Sequence, residues 1–319
     1  MERENGACTC TAPAQSTPYD LLDATPFRLW REKKLAAFPS NASDIVVPIE
    51  NISHPSPTER AEIFDRLARA NMAIYRAPAE LADDEPRLRS QLISFLSEFG
   101  LVSCENHRSA EDDGFVVIEV SDTPSKRGFI PYTTRPLNWH TDGYYNPAQA
   151  PIRGMLLHCS RSAVRGGENA LLDPEIAYIR LRDRNPDWIA ALMHPEAMTI
   201  PAAIEDDGSE RPTSVGPVFM VDPGDGQLVM RYTARTRNII WRDCKATRAA
   251  VAFLNDLLTG QGEPHILNVR LAPGEGLICN NVLHTRTGFD EAEGTHRRVL
   301  RARFASRVGA RPIPLERAT

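Results

Sequence analysis

The chain lacks most of the features that would place it outside the soluble globular class. No apolar run approaches the roughly 18 residues a membrane-spanning helix needs. The formal net charge is −5, with no acidic or basic block, so nothing points to nucleic acid or to an anionic membrane surface. Six cysteines in 319 residues do not form a disulfide framework. Cys8 and Cys10 sit in a Thr/Ala/Pro/Ser stretch with no second Cys or His pair at finger spacing, so structural zinc is not expected there. The opening Met1-Glu2-Arg3-Glu4-Asn5 lacks the basic-then-apolar pattern of a secretory signal. No G-x-G-x-x-G opens a helix, no Walker-type loop occurs, and Gly166-Gly167 is too short for a phosphate cradle. There is no internal repeat. The expectation is a cytoplasmic protein with reduced thiols and a small-molecule partner.

What is present is ordinary in bulk. Hydrophobic residues make up 42% and charged residues 25%, as in a typical soluble fold, and the length suffices for a substantial core. Residues 1–25 read as a flexible tail. Ile63, Leu67 and Ala68 at helical spacing, with Pro57 near the start, predict a helix over 57–71. Leu88, Leu92, Ile93 and Phe95, stopped by Gly100, predict another over 86–99. Further helices are expected over 174–181, 186–193 and 246–258, with a polar, irregular segment from there to Pro212 after the second of these. Short apolar runs predict strands at 72–75, 115–120, 154–159, 169–172, 218–221, 227–232, 266–271, 276–279 and 297–306, several joined by Gly/Pro turns. Many short strands with a few helices favour a β-sandwich or jelly roll over a parallel doubly wound sheet.

Within this frame Asn138-Trp139-His140-Thr141-Asp142 carries the most chemistry. On a strand, alternate side chains share a face, so His140 and Asp142 converge. An imidazole and a carboxylate so placed supply two ligands of a facial triad, which leaves positions on Fe(II) open for a co-substrate and dioxygen. The third ligand must come from elsewhere. His284, in Val282-Leu283-His284-Thr285-Arg286, is the leading candidate; His107, His158, His194, His265 and His296 are the alternatives. His158 lies in an apolar run and reads as a core histidine. His296 adjoins Arg297 and reads as facing solvent.

Asn-Trp-His-Thr-Asp, the Gly166-Gly167-Glu168 loop about 25 residues later, and a late histidine before an arginine-rich strand together resemble the taurine dioxygenase superfamily of Fe(II)/2-oxoglutarate oxygenases. The resemblance runs over about residues 72–306. It implies an α+β, mainly β fold: a double-stranded β-helix (jelly-roll) core covered by helices. The domain would span 26–319, with a helical insertion around 174–212. It implies His140, Asp142 and His284 as iron ligands, and Arg297 with Arg301 as anchors of 2-oxoglutarate. A guanidinium grips a carboxylate through two parallel hydrogen bonds and stays charged when buried. Arg298 is the register alternative, on the opposite face, and the bland reading of Arg297, Arg298, Arg301 and Arg303 is a solvated edge. Where the family commonly has a threonine after the Gly-Gly-acidic loop, this chain has Asn169, whose amide can also donate. A carboxylate at 142 implies oxidation without halogenation. Fe(II), 2-oxoglutarate as co-substrate and dioxygen are the implied cofactors, with succinate and CO2 released.

Tyr144 and Tyr145 directly follow the metal motif and are placed to line a substrate pocket, or simply to pack. Arg231 and Arg235 leave a strand together and are candidate anion-binding groups, or part of a solvated loop. A small anionic or zwitterionic, amino-acid-like metabolite is the expected substrate. A zinc-dependent hydrolase on the same three ligands, or a non-catalytic metal-binding jelly-roll protein, is the alternative, although a hydrolase has no need of Arg297 and Arg301 behind its metal. Relatives in this superfamily are often homo-oligomers, but no coiled-coil signature appears.

Overall fold

The computed structural model describes residues 17–78, 84–105, 110–123, 126–204, 208, 210–260, 262–293 and 296–309. Cys8, Cys10, His107 and residues 1–16 of the expected tail lie outside them. From residue 17 onward the tail expectation is corrected. Tyr19 is buried and donates its hydroxyl to Glu175 at 3.1 Å.

Five helices begin where short polar side chains satisfy the free N–H groups of a first turn. Asp23 starts α1 (Ala24–Ala37). Ser56 and Glu59 form a reciprocal capping box on α2 (Pro57–Ala70), which stops at Asn71 in a left-handed conformation. Asp84, Asp173 and Asn185 cap α3 (Glu85–Glu98), α4 (Pro174–Arg184) and α5 (Pro186–Leu192). A proline in the first turn of each of these, and of α2, sets φ without removing a needed donor. α6 spans Lys245–Thr259. α1 was not expected, because only Phe27 and Lys34 of its 14 residues are buried and no apolar stripe marks it.

Two sheets hold the centre. Numbering their strands alone, they are β1 (Val46–Pro48), β2 (Met72–Arg76), β3 (Val116–Ile118), β4 (Leu137–His140), β5 (Gly154–Arg161), β6 (Asn169–Leu172), β7 (Leu267–Val269), β8 (Glu275–Cys279), β9 (Leu283–Arg286) and β10 (Arg298–Phe304). The six-stranded sheet has the order β1-β2-β8-β5-β10-β3, antiparallel except for β1 with β2. The four-stranded sheet, β7-β6-β9-β4, is antiparallel throughout. Period-two alternation divides the larger sheet between two cores. Met155, Leu157, Cys159, Leu277 and Val299 join the core that reaches the smaller sheet and α4 to α6. Leu156, Ile278, Leu300 and Ala302 pack instead with α2 and α3 residues such as Ile63, Leu92 and Phe95.

The insertion departs from expectation in its second half. The segment after α5 is β structure: Met198–Ile200 is the central strand between Ser214–Gly216 and Ile240–Trp241, and Ala203–Ile204 pairs with Glu210–Arg211.

His158 falls on the helix-facing side of β5, with Nδ1 2.9 Å from the Tyr75 hydroxyl. Burial lowers its pKa to about 4. The unfolded chain takes up a proton below about pH 6.5 that the folded state refuses. Stability is therefore full above that pH and declines toward pH 4, at about 1.4 kcal/mol per pH unit. In His158→Gln, urea unfolding across this window should show a slope shallower by about that amount. An unchanged slope would mean that His158 is not the buried neutral group.

Candidate active site

β4 and β9 lie antiparallel with His140 directly opposite His284, so both imidazoles leave one face of the sheet. Their ring centroids are 4.2 Å apart. The strand stops at His140, and this corrects the expectation that strand alternation alone delivers Asp142. Beyond it Thr141 is held by Tyr232: each residue's N–H donates to the other, to the Tyr232 carbonyl and to the Thr141 hydroxyl, both at 3.0 Å. Asp142 is then fixed by Asn281, whose Oδ1 accepts the Asp142 N–H at 2.8 Å and whose Nδ2 donates to the Asp142 carbonyl at 3.0 Å. Gly143 turns the chain at φ 66°, where a Cβ would lie 2.4 Å from Ile152 Cγ1, so glycine is required. The result is three buried ligand atoms within 4.8 Å of one another, from His140, Asp142 and His284. His140 Nε2 and Asp142 Oδ1 are 3.6 Å apart.

Each ring is held by its other nitrogen. His140 Nδ1 lies 2.8 Å from the Asn138 carbonyl, and His284 Nδ1 lies 2.9 Å from the Val282 carbonyl. A carbonyl only accepts, so both Nδ1 atoms carry a proton and Nε2 is the nitrogen each ring turns to the site, as in metal-ligating imidazoles. Burial, with His140 beside it, lowers the His284 pKa to about 4, which keeps that ring neutral. Burial acts to raise the Asp142 carboxyl, but the Arg301 guanidinium beside it, with Arg303 beyond, holds it well below the usual carboxylate range. Arg301 Nη1 is 3.2 Å from Asp142 Oδ2. Two imidazole nitrogens and one carboxylate oxygen on a common face suit Fe(II) with open positions. His158, His194, His265 and His296 take no part; the last three contact Glu196, Glu263 and Glu291.

The arginines of β10 divide by face. Arg298 ion-pairs with Glu85 and Glu119. Arg301 and Arg303 point inward, on the Val299 side, and are buried with Arg297, so the solvated-edge reading is corrected for these three. Arg297 lines a small recess with Gly167, Asn169, Cys159 and Ser162. Gly167 stands beside Arg297 at φ 75°, in the left-handed region that favours glycine. Among the described residues no carboxylate ion-pairs with Arg297. Asn169 donates one Nδ2 hydrogen to the Thr285 carbonyl at 2.9 Å, which leaves its other N–H available.

On the other side, the Tyr144 ring stands edge-on to His140 at 6.4 Å, and its hydroxyl accepts from Arg235 Nη1 at 3.0 Å. The Tyr145 hydroxyl accepts from Arg303 Nη1 at 2.9 Å. Arg231 is different. It is buried and donates to the carbonyls of Met198, Gly216 and Ser214 and to the Ser214 hydroxyl. It braces the inserted strands and is corrected as a candidate substrate ligand.

Three positioning residues escaped the sequence reading. Arg286 donates to the Pro131, Thr133 and Arg135 carbonyls, which docks the 126–136 loop on β9. Glu105 pairs with Arg303. Asn281 left one signal, an asparagine two residues after Cys279, because asparagine tolerates the left-handed backbone seen at its φ of 50°. Asn281→Ala should weaken metal binding by about 10- to 100-fold, the usual cost of losing a group that orients a ligand. Fe(II) titration of the variant, with Asn281→Asp beside it, checks this.

The taurine catabolism dioxygenase TauD, TfdA family profile matches residues 52–303. A uridine-5'-phosphate dioxygenase from an Amycolatopsis species is 33% identical over 273 residues, covering 82% of this chain and 93% of that protein. A taurine dioxygenase structure from Burkholderia xenovorans shares the fold with a TM-score of 0.51 at 15% identity, covering 83% of this chain and 88% of that one. So does an asparagine oxygenase in complex with Fe(II), 2S,3S-3-hydroxyasparagine and succinate, with a TM-score of 0.56 at 17% identity, covering 92% and 86%. The chain belongs to the TauD, TfdA family and is a 2-oxoglutarate-dependent dioxygenase.

Proposed function

We propose that His140, Asp142 and His284 hold Fe(II), that Arg297 and Asn169 receive the distal carboxylate of 2-oxoglutarate, and that the chain oxidises a small anionic metabolite with release of succinate and CO2. The observation that carries this reading is the register of one ladder. Leu171 lies opposite His284, and Asn169 opposite Arg286, so the Arg297 recess begins two residues, about 7 Å of strand rise, from the metal ligands. A buried guanidinium with no ion-pair partner among the described residues, one step from a facial triad, suits a dicarboxylate bound at both ends. A hydrolase gives it no role. The six- and four-stranded sheets are then read as the two sides of a jelly roll over one domain.

Bound iron with 2-oxoglutarate and dioxygen supplies the oxidising power. The chain's own part is positional. Asp142 brings a negative charge that Arg301 keeps ionised, the Asn138 and Val282 carbonyls fix both imidazoles, and the buried Leu171 keeps water from the His284 side. Tyr144 faces the substrate.

Two classes of anionic substrate are candidates. The name of the curated relative puts a nucleoside 5′-phosphate ahead of the amino-acid-like compound expected from sequence. The test is substrate-dependent succinate formation with uridine 5′-phosphate and with a panel of amino acid derivatives. The reading expects stimulation by the nucleotide. Stimulation by an amino acid derivative alone would overturn the substrate assignment and leave the oxygenase assignment standing.

A further inference from the structure

The recess beside the triad poses a problem of aim. Arg297 is buried, yet among the described residues its guanidinium donates no hydrogen bond and makes no ion pair. Glu291 accepts the Arg297 backbone N–H at 3.0 Å and contacts His296 instead. A long side chain with many rotamers needs a partner to stay in one of them. Here the partner is a ring: the Arg297 guanidinium carbon lies 5.4 Å from the centre of the buried Phe289 ring.

That ring has supports of its own. Phe289 pairs with Gly166 across a short antiparallel ladder, and its N–H donates to the Thr134 carbonyl at 3.1 Å. The Arg286 guanidinium carbon stands 4.8 Å from the same ring centre. Arg286 is no rival for a ligand, because its two Nη atoms donate to the Pro131, Thr133 and Arg135 carbonyls. One aromatic ring thus carries two buried guanidiniums, one committed to the backbone and one left free.

The kind of partner matters. A carboxylate would hold Arg297 through the same N–H groups that grip a ligand. An aromatic face attracts the cation through its quadrupole and takes none of them, so the donors stay available to an incoming carboxylate. We infer that Phe289 is a positioning residue for the co-substrate: its ring holds Arg297 at the recess with the donors free, and so sets the preference for a 2-oxo acid that carries a distal carboxylate. The inference rests on the oxygenase reading above and deepens it by naming what aims the anchor.

The test uses the full chain loaded with Ni(II), which allows binding without turnover. Calorimetry compares 2-oxoglutarate with 2-oxobutyrate, a keto acid without the distal carboxylate, in the parent and in Phe289→Leu, Phe289→Met and Phe289→Tyr. Leucine and methionine keep an apolar side chain there, so either variant serves where the other fails to fold. The parent is expected to favour 2-oxoglutarate by at least about tenfold, the worth of charged hydrogen bonds. Loss of the ring should weaken 2-oxoglutarate by about 3- to 30-fold, the range of a cation–π contact. Ni(II) and 2-oxobutyrate affinities should stay unmoved, and Phe289→Tyr should keep the parent's preference. An unchanged 2-oxoglutarate affinity without the ring overturns the inference. So does an equal loss for both keto acids, which marks a general distortion of the site. Failure of the loaded parent to bind 2-oxoglutarate, or equal binding of both keto acids by it, would instead overturn the co-substrate reading beneath it.

Discussion

Asp142→Ala is expected to cut substrate-dependent succinate formation by more than about 100-fold, beyond the range typical for groups that merely orient a ligand. The substitution removes the one anionic donor of the triad, and two neutral imidazoles hold a divalent cation poorly. A second effect follows from Arg301, which lies buried 3.2 Å from the Asp142 carboxylate. Without that partner its charge is uncompensated in the interior, a situation that typically costs about 3–5 kcal/mol. Adding Arg301→Gln to Asp142→Ala separates the two effects: it removes the uncompensated charge without restoring the missing anionic donor. Metal titration, succinate assay and urea unfolding on both variants check this. Full activity in Asp142→Ala would remove Asp142 from the metal site.

The second large effect lies far from the chemistry. Lys34 on α1 is buried, with Nζ 2.6 Å from Asp173 Oδ2 and 2.5 Å from Glu175 Oε2 at the start of α4. Burial acts to lower its pKa, but the two carboxylates prevail and raise it. Asn71 Nδ2 donates to both Asp173 oxygens, Tyr19 donates to Glu175, and Arg307 donates to Asn71 Oδ1. Four segments distant in sequence therefore meet at one cation. Lys34→Met leaves two buried carboxylates facing each other and should lower stability by about 3–5 kcal/mol, read from urea unfolding. Adding Asp173→Asn and Glu175→Gln should recover most of the loss, because the cost lies in the unpaired charges. A loss below about 1 kcal/mol, the scale of an exposed pair, would contradict the buried-triad account.

Much of the fold was legible because periodicity is local. α2, α3 and α6 and the strands β2, β5, β6 and β8 lie where apolar spacing and turn residues put them, within a few residues. α1 was silent because it docks through Lys34 and Phe27 rather than through an apolar stripe. The inserted strands were silent because two- and three-residue segments are too short to show a period of two. At the site, His140 and Asp142 stand two apart and His284 precedes an arginine-rich strand, so the triad could be proposed from spacing and resemblance. What sequence could not separate was Arg231 from Arg235. They leave the same segment, and only the position of Ser214, Gly216 and Met198 decides that the first braces the interior while the second reaches Tyr144. Glu105 and Asn281 act across gaps of more than a hundred residues. Such partners are tertiary facts, without a local trace.

The most direct measurement adds Fe(II) and then 2-oxoglutarate to the protein without oxygen and records the visible spectrum. A keto acid chelating iron on these three ligands gives a weak visible charge-transfer band that requires both additions, does not form with Zn(II), and disappears in His284→Ala. A colourless solution at saturating Fe(II) and 2-oxoglutarate would contradict the assignment of His140, Asp142 and His284 as an oxygenase iron site.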